Sequence, residues 1–160
     1  MRRWMIAVAT TGMILMPATM SWARGDGWQP LPLDPYDSFS CGANMHFDFS
    51  GEAWYRVVDI GGTKTFQVTG HAFATITNLD NGRAITQNIT GPVFSPADVP
   101  SEYSARGHNL IGLDPNQAAS AGLPELWVSS GYLDITFNPD DTLTVNQMTG
   151  SLTDDCALLT

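Results

Sequence analysis

The side chains with the most chemistry in them are three histidines, sixteen acids and two cysteines. A metal centre needs convergent ligands, commonly His with a carboxylate or a second His nearby. His46 and Asp48 fall on one side of an alternating stretch, and His71 could neighbour them across a sheet. Yet His46, His71 and His108 include no closely spaced pair, so no metal and no cofactor are expected. Nucleophilic catalysis needs an activated Ser or Cys beside a base. There is no Gly-x-Ser-x-Gly elbow, and Ser129-Ser130 lie within a strand-like stretch. Paired carboxylates for sugar hydrolysis could be drawn from Asp48, Glu52, Asp59 or Asp134, but sixteen acids in 160 residues make accidental pairs certain. Asp140-Asp141 and Asp154-Asp155 lack the spaced loop of a calcium site and read as turn residues. Asn88-Ile89-Thr90 spells a glycosylation sequon inside a strand pattern, and Arg24-Gly25-Asp26 spells an adhesion tripeptide short enough to arise by chance. An isomerase- or cyclase-like enzyme would need Asp48, Glu52 or Asp134 buried in a pocket with a raised pKa.

Cys41 and Cys156 remain, and their chemistry depends on compartment. Met1 to Ala23 reads as a secretory signal peptide: Arg2-Arg3, then an apolar run to Met16, Pro17, and small Ser21 and Ala23 near the expected cleavage point. The apolar run is shorter than the ~20 residues that span a bilayer. Cleavage near Ala23 predicts a secreted, extracellular protein with no membrane span. In that oxidising setting an even cysteine count predicts a Cys41–Cys156 disulfide, where the chain-entropy model gives roughly 4–5 kcal/mol for so long a loop. The full chain carries a formal charge of −9, and loss of Arg2 and Arg3 makes it more acidic still. Such a balance repels nucleic acid and anionic lipid.

These residues must be positioned by strands. Residues 24–40 contain Pro30, Pro32 and Pro35 and read as an extended arm. Ala43 to Ser50 alternates Met45, Phe47 and Phe49 against Asn44, His46 and Asp48, the period of a half-buried strand. Glu52 to Asp59 reads as a second strand, closed by Gly61-Gly62. Phe66 to Gly91 reads as a long hairpin, both arms rich in Thr, Ile, Val and Phe, turning at Asp80-Asn81-Gly82. A two-residue loop puts Ala74, Ile76, Ile85 and Ile89 on one face. A three-residue loop puts Phe73, Leu79, Ile85 and Ile89 together, and this register is preferred because it gathers the larger side chains. Asp114, Pro115 and Gly122 frame a short helix near 115–121. Trp127 to Asn138 and Thr142 to Thr153 are further strands about an Asn138-Pro139-Asp140-Asp141 turn. The sum is an all-β domain over 41–160: one antiparallel β-barrel, or a sandwich, of about six to eight strands.

Thr77-Asn78-Leu79-Asp80-Asn81-Gly82, Ile85 to Pro92, Ile135 to Asp140, and Asp154-Asp155-Cys156-Ala157-Leu158 resemble a group of uncharacterised small secreted actinobacterial proteins. The resemblance covers about half of the mature chain and implies export and a disulfide-closed β domain, with no activity attached. Members tend to carry Gly where Asp141 stands here. The functional expectation is a secreted, non-enzymatic binding protein, its barrel holding a small apolar ligand or contacting an extracellular partner. Candidate ligand-lining residues are Phe47, Phe49, Trp54, Phe73, Trp127 and Phe137. The alternative is a structural or surface-interaction protein with a filled interior.

Overall fold

The computed structural model describes residues 27–99 and 101–160. The expected signal peptide and the Arg24-Gly25-Asp26 tripeptide lie outside the described residues. The elements are β1 (Gln29–Leu31), β2 (Tyr36–Ser40), β3 (Ala43–Ile60), β4 (Thr63–Asn78), β5 (Ala84–Asn88), β6 (Val93–Pro96), β7 (Glu102–Gly112), α1 (Pro115–Ala121), β8 (Leu126–Phe137), β9 (Leu143–Asp154) and α2 (Asp155–Leu159). All strand pairs are antiparallel, and one sheet runs β1-β3-β4-β6-β7-β8-β9.

The β3–β4 hairpin is the spine. Its turn is Gly61-Gly62, with φ of 63° and 88° between the facing Ile60 and Thr63, which suits the right-handed twist of a two-residue loop. Its length allows two tiers. Near Met45 to Phe49 it is flanked by β2 and β5, and near Ala53 to Val57 by β1 and β6. The two strands expected over 43–59 are therefore one, bent where Gly51 takes φ 99°. An added Cβ there would collide with the His71 carbonyl oxygen across the ladder, so only glycine permits the approach.

In the Pro-rich segment the described residues 27–40 carry β1 and β2, and they are anchored. β1 and β2 pair with β3, Tyr55 Oη donates to Gln29 Oε1 at 2.7 Å, and the Arg56 guanidinium lies 4.3 Å from the Trp28 ring centre. The segment's prolines confine it to the outer edge of the sheet, where a missing N–H costs nothing. The predicted helix forms as α1, with a capping box between Asp114 and Gln117 and Gly122 in the left-handed conformation at its exit.

Two expectations are corrected. The sheet is not closed into a barrel: among the described residues no ladder joins β9 to β1 or β2. A Cys41–Cys156 bond would favour closure if both cysteines sat on the first and last strands. Cys156 instead sits in α2, a helix that the sequence reading missed. The Cys41–Cys156 bond is present, but it ties the corner before β3 to this helix. The hairpin register also differs. Ile76 faces Ile85 and Thr77 faces Ala84, so Leu79 to Gly82 form a four-residue loop. Asn78 closes that loop: its N–H donates to the Arg83 carbonyl, and its Oδ1 accepts from the Asp80 and Asn81 amides. The parity is that of the rejected two-residue loop, so Ala74, Ile76, Ile85 and Ile89 share the buried face while Phe73 turns outward and Leu79 is exposed.

Two hydrophobic clusters hold the sheet in its rolled form. One fills the concave side of the lower tier, with Val68, Val93, Tyr103, Ile111, Trp127 and Leu133 among its members, and Ala118 of α1 covers it. The other packs Met45, Phe47, Ala74 and Ile76 of the upper tier against Leu110, Leu126 and Val128. The start of β8 is thus buried on both faces, which explains its unbroken apolar run.

Candidate functional site

The six aromatic candidates do not converge on one cavity. Phe47 and Phe49 belong to the upper cluster, where Tyr36 stacks on both, at 4.8 and 5.9 Å between ring centres. Trp127 and Phe137 belong to the lower cluster. Trp54 and Phe73 are in phase with the opposite, outer face of the β3–β4 hairpin, where Phe73 meets His71 edge to face at 5.2 Å. Four of the six are therefore packing residues of two separate cores, and two are half-exposed on the outside.

The carboxylates proposed for chemistry are also peripheral. Asp48 and Glu52 are exposed. Asp134 lies on the outer face, accepting from Tyr132 Oη at 3.2 Å and Asn146 Nδ2 at 2.9 Å. His71 stands opposite Glu52 and His46 opposite Thr77, so β3 and β4 do not bring the two histidines together. Among the described residues no three His, Cys, Asp or Glu side chains are placed to hold a metal ion.

The buried carboxylate is one that sequence reasoning assigned to a turn. Asp155 is fully buried at the start of α2. Its Oδ1 accepts from Gln87 Nε2, while Oδ2 has no hydrogen-bond partner. Burial pushes its pKa up to about 6, against the lowering effect of the Gln87 bond and with a small contribution from neighbouring Asp154. Asp155 is the first residue of α2, but a helix of one turn leaves no periodic signal in the sequence.

The surface offers a more defined feature. Where the β2–β3 corner meets the Leu79 to Gly82 loop, a hollow of about 410 Å³ is lined by Asp37, Ser38, Phe39, Asn44, Leu79 and Asp80. That volume is within the ~300–1,000 Å³ usual for ligand sites, although this one is open to solvent. Phe39 and Leu79 are 69% and 54% exposed, large apolar side chains held in water. Asn44 fixes the geometry, its amide and its Nδ2 each donating to one oxygen of Asp80 at 3.0 Å while its carbonyl accepts from Leu79 N. The Asn44 side-chain bond, then the backbone bond, hold the Asp80 pKa below the usual carboxylate range. On the other wall, His46 Nδ1 lies 2.6 Å from Asp37 Oδ1. A carboxylate-held histidine is half of a nucleophilic site, but among the described residues no hydroxyl or thiol hydrogen-bonds to His46. The hollow thus has an acidic floor ordered by the Asn44–Asp80 hydrogen bonds and two exposed apolar side chains, Phe39 and Leu79, on its walls. Sequence reasoning missed it because Phe39 lay in the arm and Leu79 was assigned to the core.

No family model, no curated protein and no solved structure matches this chain.

Proposed function

We propose that this is an exported, non-enzymatic binding domain that contacts an extracellular protein partner through the Phe39–Leu79 hollow. The observation that carries the reading is the pairing of these two exposed apolar side chains over a pre-ordered Asn44–Asp80 floor. Ordered loops with exposed apolar groups beside charge are what a recognition surface requires, because little conformational entropy is then lost on binding. Export is supported by the disulfide, since such bonds persist in oxidising compartments. A small apolar ligand inside the rolled sheet is the less favoured version, because the interior aromatics are packed against one another. The surface version also absorbs the alternative of a structural protein with a filled core.

The test compares the wild-type protein with a Phe39→Ser, Leu79→Ser double variant as immobilised baits in culture supernatant and cell-envelope extract. A protein retained by the wild type and lost with the variant, at equal thermal midpoints, supports the reading. The same proteins retained by both baits would refute it. A panel of hydrophobic fluorescent probes that reports saturable binding unaffected by the double variant would favour the interior ligand instead.

A further inference from the structure

A separate surface is defined by strand pairing. β9 is twelve residues long and pairs with β8 on one side; its other side meets no strand among the described residues. Sheet edges of this length are usually blunted by proline or by charged side chains. The edge at the far side of the sheet follows that rule, with β1 and β2 short and Pro30, Pro32 and Pro35 interrupting them. β9 does not: from Leu143 to Thr153 it has no proline and no charged residue. Its N–H groups are aimed outward in alternation. The Leu143 N–H points away from β8 and is taken by Ser120 Oγ of α1, and Val145, two residues on, has the same phase with no such cover. Met148 is 42% exposed along this edge. The irregularities along it are the bulge at Asn146, where the register with Asp134 and Ile135 shifts, and Gly150, whose φ is 100°.

Charge selects the occupant. Beyond Arg106 the chain contains no Lys or Arg, while Asp114, Glu125, Asp134, Asp140, Asp141, Asp154 and Asp155 all lie there. Asp140 and Asp141 bracket β9 at its start and Asp154 at its end. A second copy pairing antiparallel would set Asp141 near the other copy's Asp154, and two acidic domains would face each other. An extended cationic segment meets neither obstacle.

We propose that the outer edge of β9 accepts, by β-augmentation, an extended uncharged segment of a partner protein that carries Lys or Arg at both ends. Backbone hydrogen bonds supply the affinity and the bracketing aspartates the selectivity. Strand rise of about 3.3 Å per residue makes the site up to roughly 40 Å long.

The experiment titrates the full protein with two labelled peptides, each seven alternating Thr and Val residues, one ended by Lys pairs and the other by Glu pairs. Binding is read by fluorescence anisotropy, and its location by amide hydrogen exchange. The Lys-ended peptide should bind, weaken as salt rises, and slow exchange along Val145 to Leu152. The Glu-ended peptide should bind at least tenfold more weakly. Val145→Pro, which removes an outward N–H and no ladder bond, should weaken the Lys-ended peptide at least tenfold, whereas Val145→Ala, which loses the same packing on the lower cluster and keeps the N–H, should bind it as the wild type does. Absence of binding, equal binding of the two peptides, or exchange protection elsewhere, such as around Phe39 and Leu79, overturns the proposal. Self-association with protection of β9 in the absence of peptide also overturns it.

Discussion

Asp155→Asn isolates the buried carboxylate and gives the sharpest energetic prediction. In the wild type this acid has a folded-state pKa of about 6, raised mainly by burial from the ordinary carboxylate value of 3.8. A group that holds its proton more tightly when folded contributes stability below its unfolded pKa, and that contribution is lost as pH rises through the folded pKa. The window is therefore about pH 4 to 6, with unfolding free energy falling as pH increases across it. Roughly two pKa units correspond to about 3 kcal/mol at the limit. Asparagine keeps the shape and can still accept from Gln87 through its carbonyl oxygen. It forgoes the favourable carboxylate at a helix start, worth about 0.3–1 kcal/mol, and buries an amide where Oδ2 already lacks a partner. The net expectation is a variant about 1–2 kcal/mol more stable than wild type at pH 7 and no more stable at pH 3.5. The assay is urea denaturation of both proteins at pH 3.5, 5, 6 and 7 with the disulfide intact, so that carboxylates such as Asp80 and Asp140 cancel in the difference. A variant less stable at pH 7, or a difference that does not change between pH 4 and 6, would refute the reasoning.

Other outcomes follow from the same structure. Reducing the Cys41–Cys156 bond, which spans 115 residues, should lower the unfolding free energy by about 4–5 kcal/mol, checked by urea midpoints with and without reductant. Asp141 takes φ 61°, so Asp141→Gly should raise stability by about 0.5–1 kcal/mol through relief of left-handed strain; an unchanged or lower thermal midpoint would contradict this. Phe47→Ala should cost about 3–5 kcal/mol, whereas Phe39→Ala, at a mostly exposed side chain, should stay within about 0.5 kcal/mol. Equal effects in a denaturant titration would mean that the two phenylalanines are misassigned between core and surface.

Local signals in the sequence were legible where one residue type dictates backbone geometry. Asp114, Pro115 and Gly122 framed α1 to the residue, and Gly61-Gly62 marked the β3–β4 turn. Alternation around Met45, Phe47 and Phe49 separated the faces of β3, although it could not show that the strand continues through Gly51. The Asp80 to Gly82 signal located a loop without fixing its length, because Asn78 closes it from one residue earlier than the turn chemistry suggests. Long-range choices were not legible. That β9 meets no strand on its outer side among the described residues is set by contacts between distant elements, which leave no mark in local composition. The hollow was hidden for the same reason: Phe39 and Leu79 are forty residues apart in sequence, and each by itself resembles a core residue. Asp155 carried no signal, since a short acidic pair before a cysteine is as common in turns as at helix starts.

The seating of α2 bears on the order in which the chain can settle. Leu159 is fully buried in the upper cluster, and its carbonyl accepts from the side chains of Asn78 and Asn81 in the β4–β5 loop. The Arg83 guanidinium reaches the Thr160 carbonyl. These contacts come after all nine strands in chain order, so a polypeptide emerging amino end first from a narrow exit has its spine hairpin available early but cannot seal the upper cluster until residues 155–159 are clear. Because Cys156 lies in α2, the Cys41–Cys156 bond can form only once that last segment has been made, and it locks the seated helix in place.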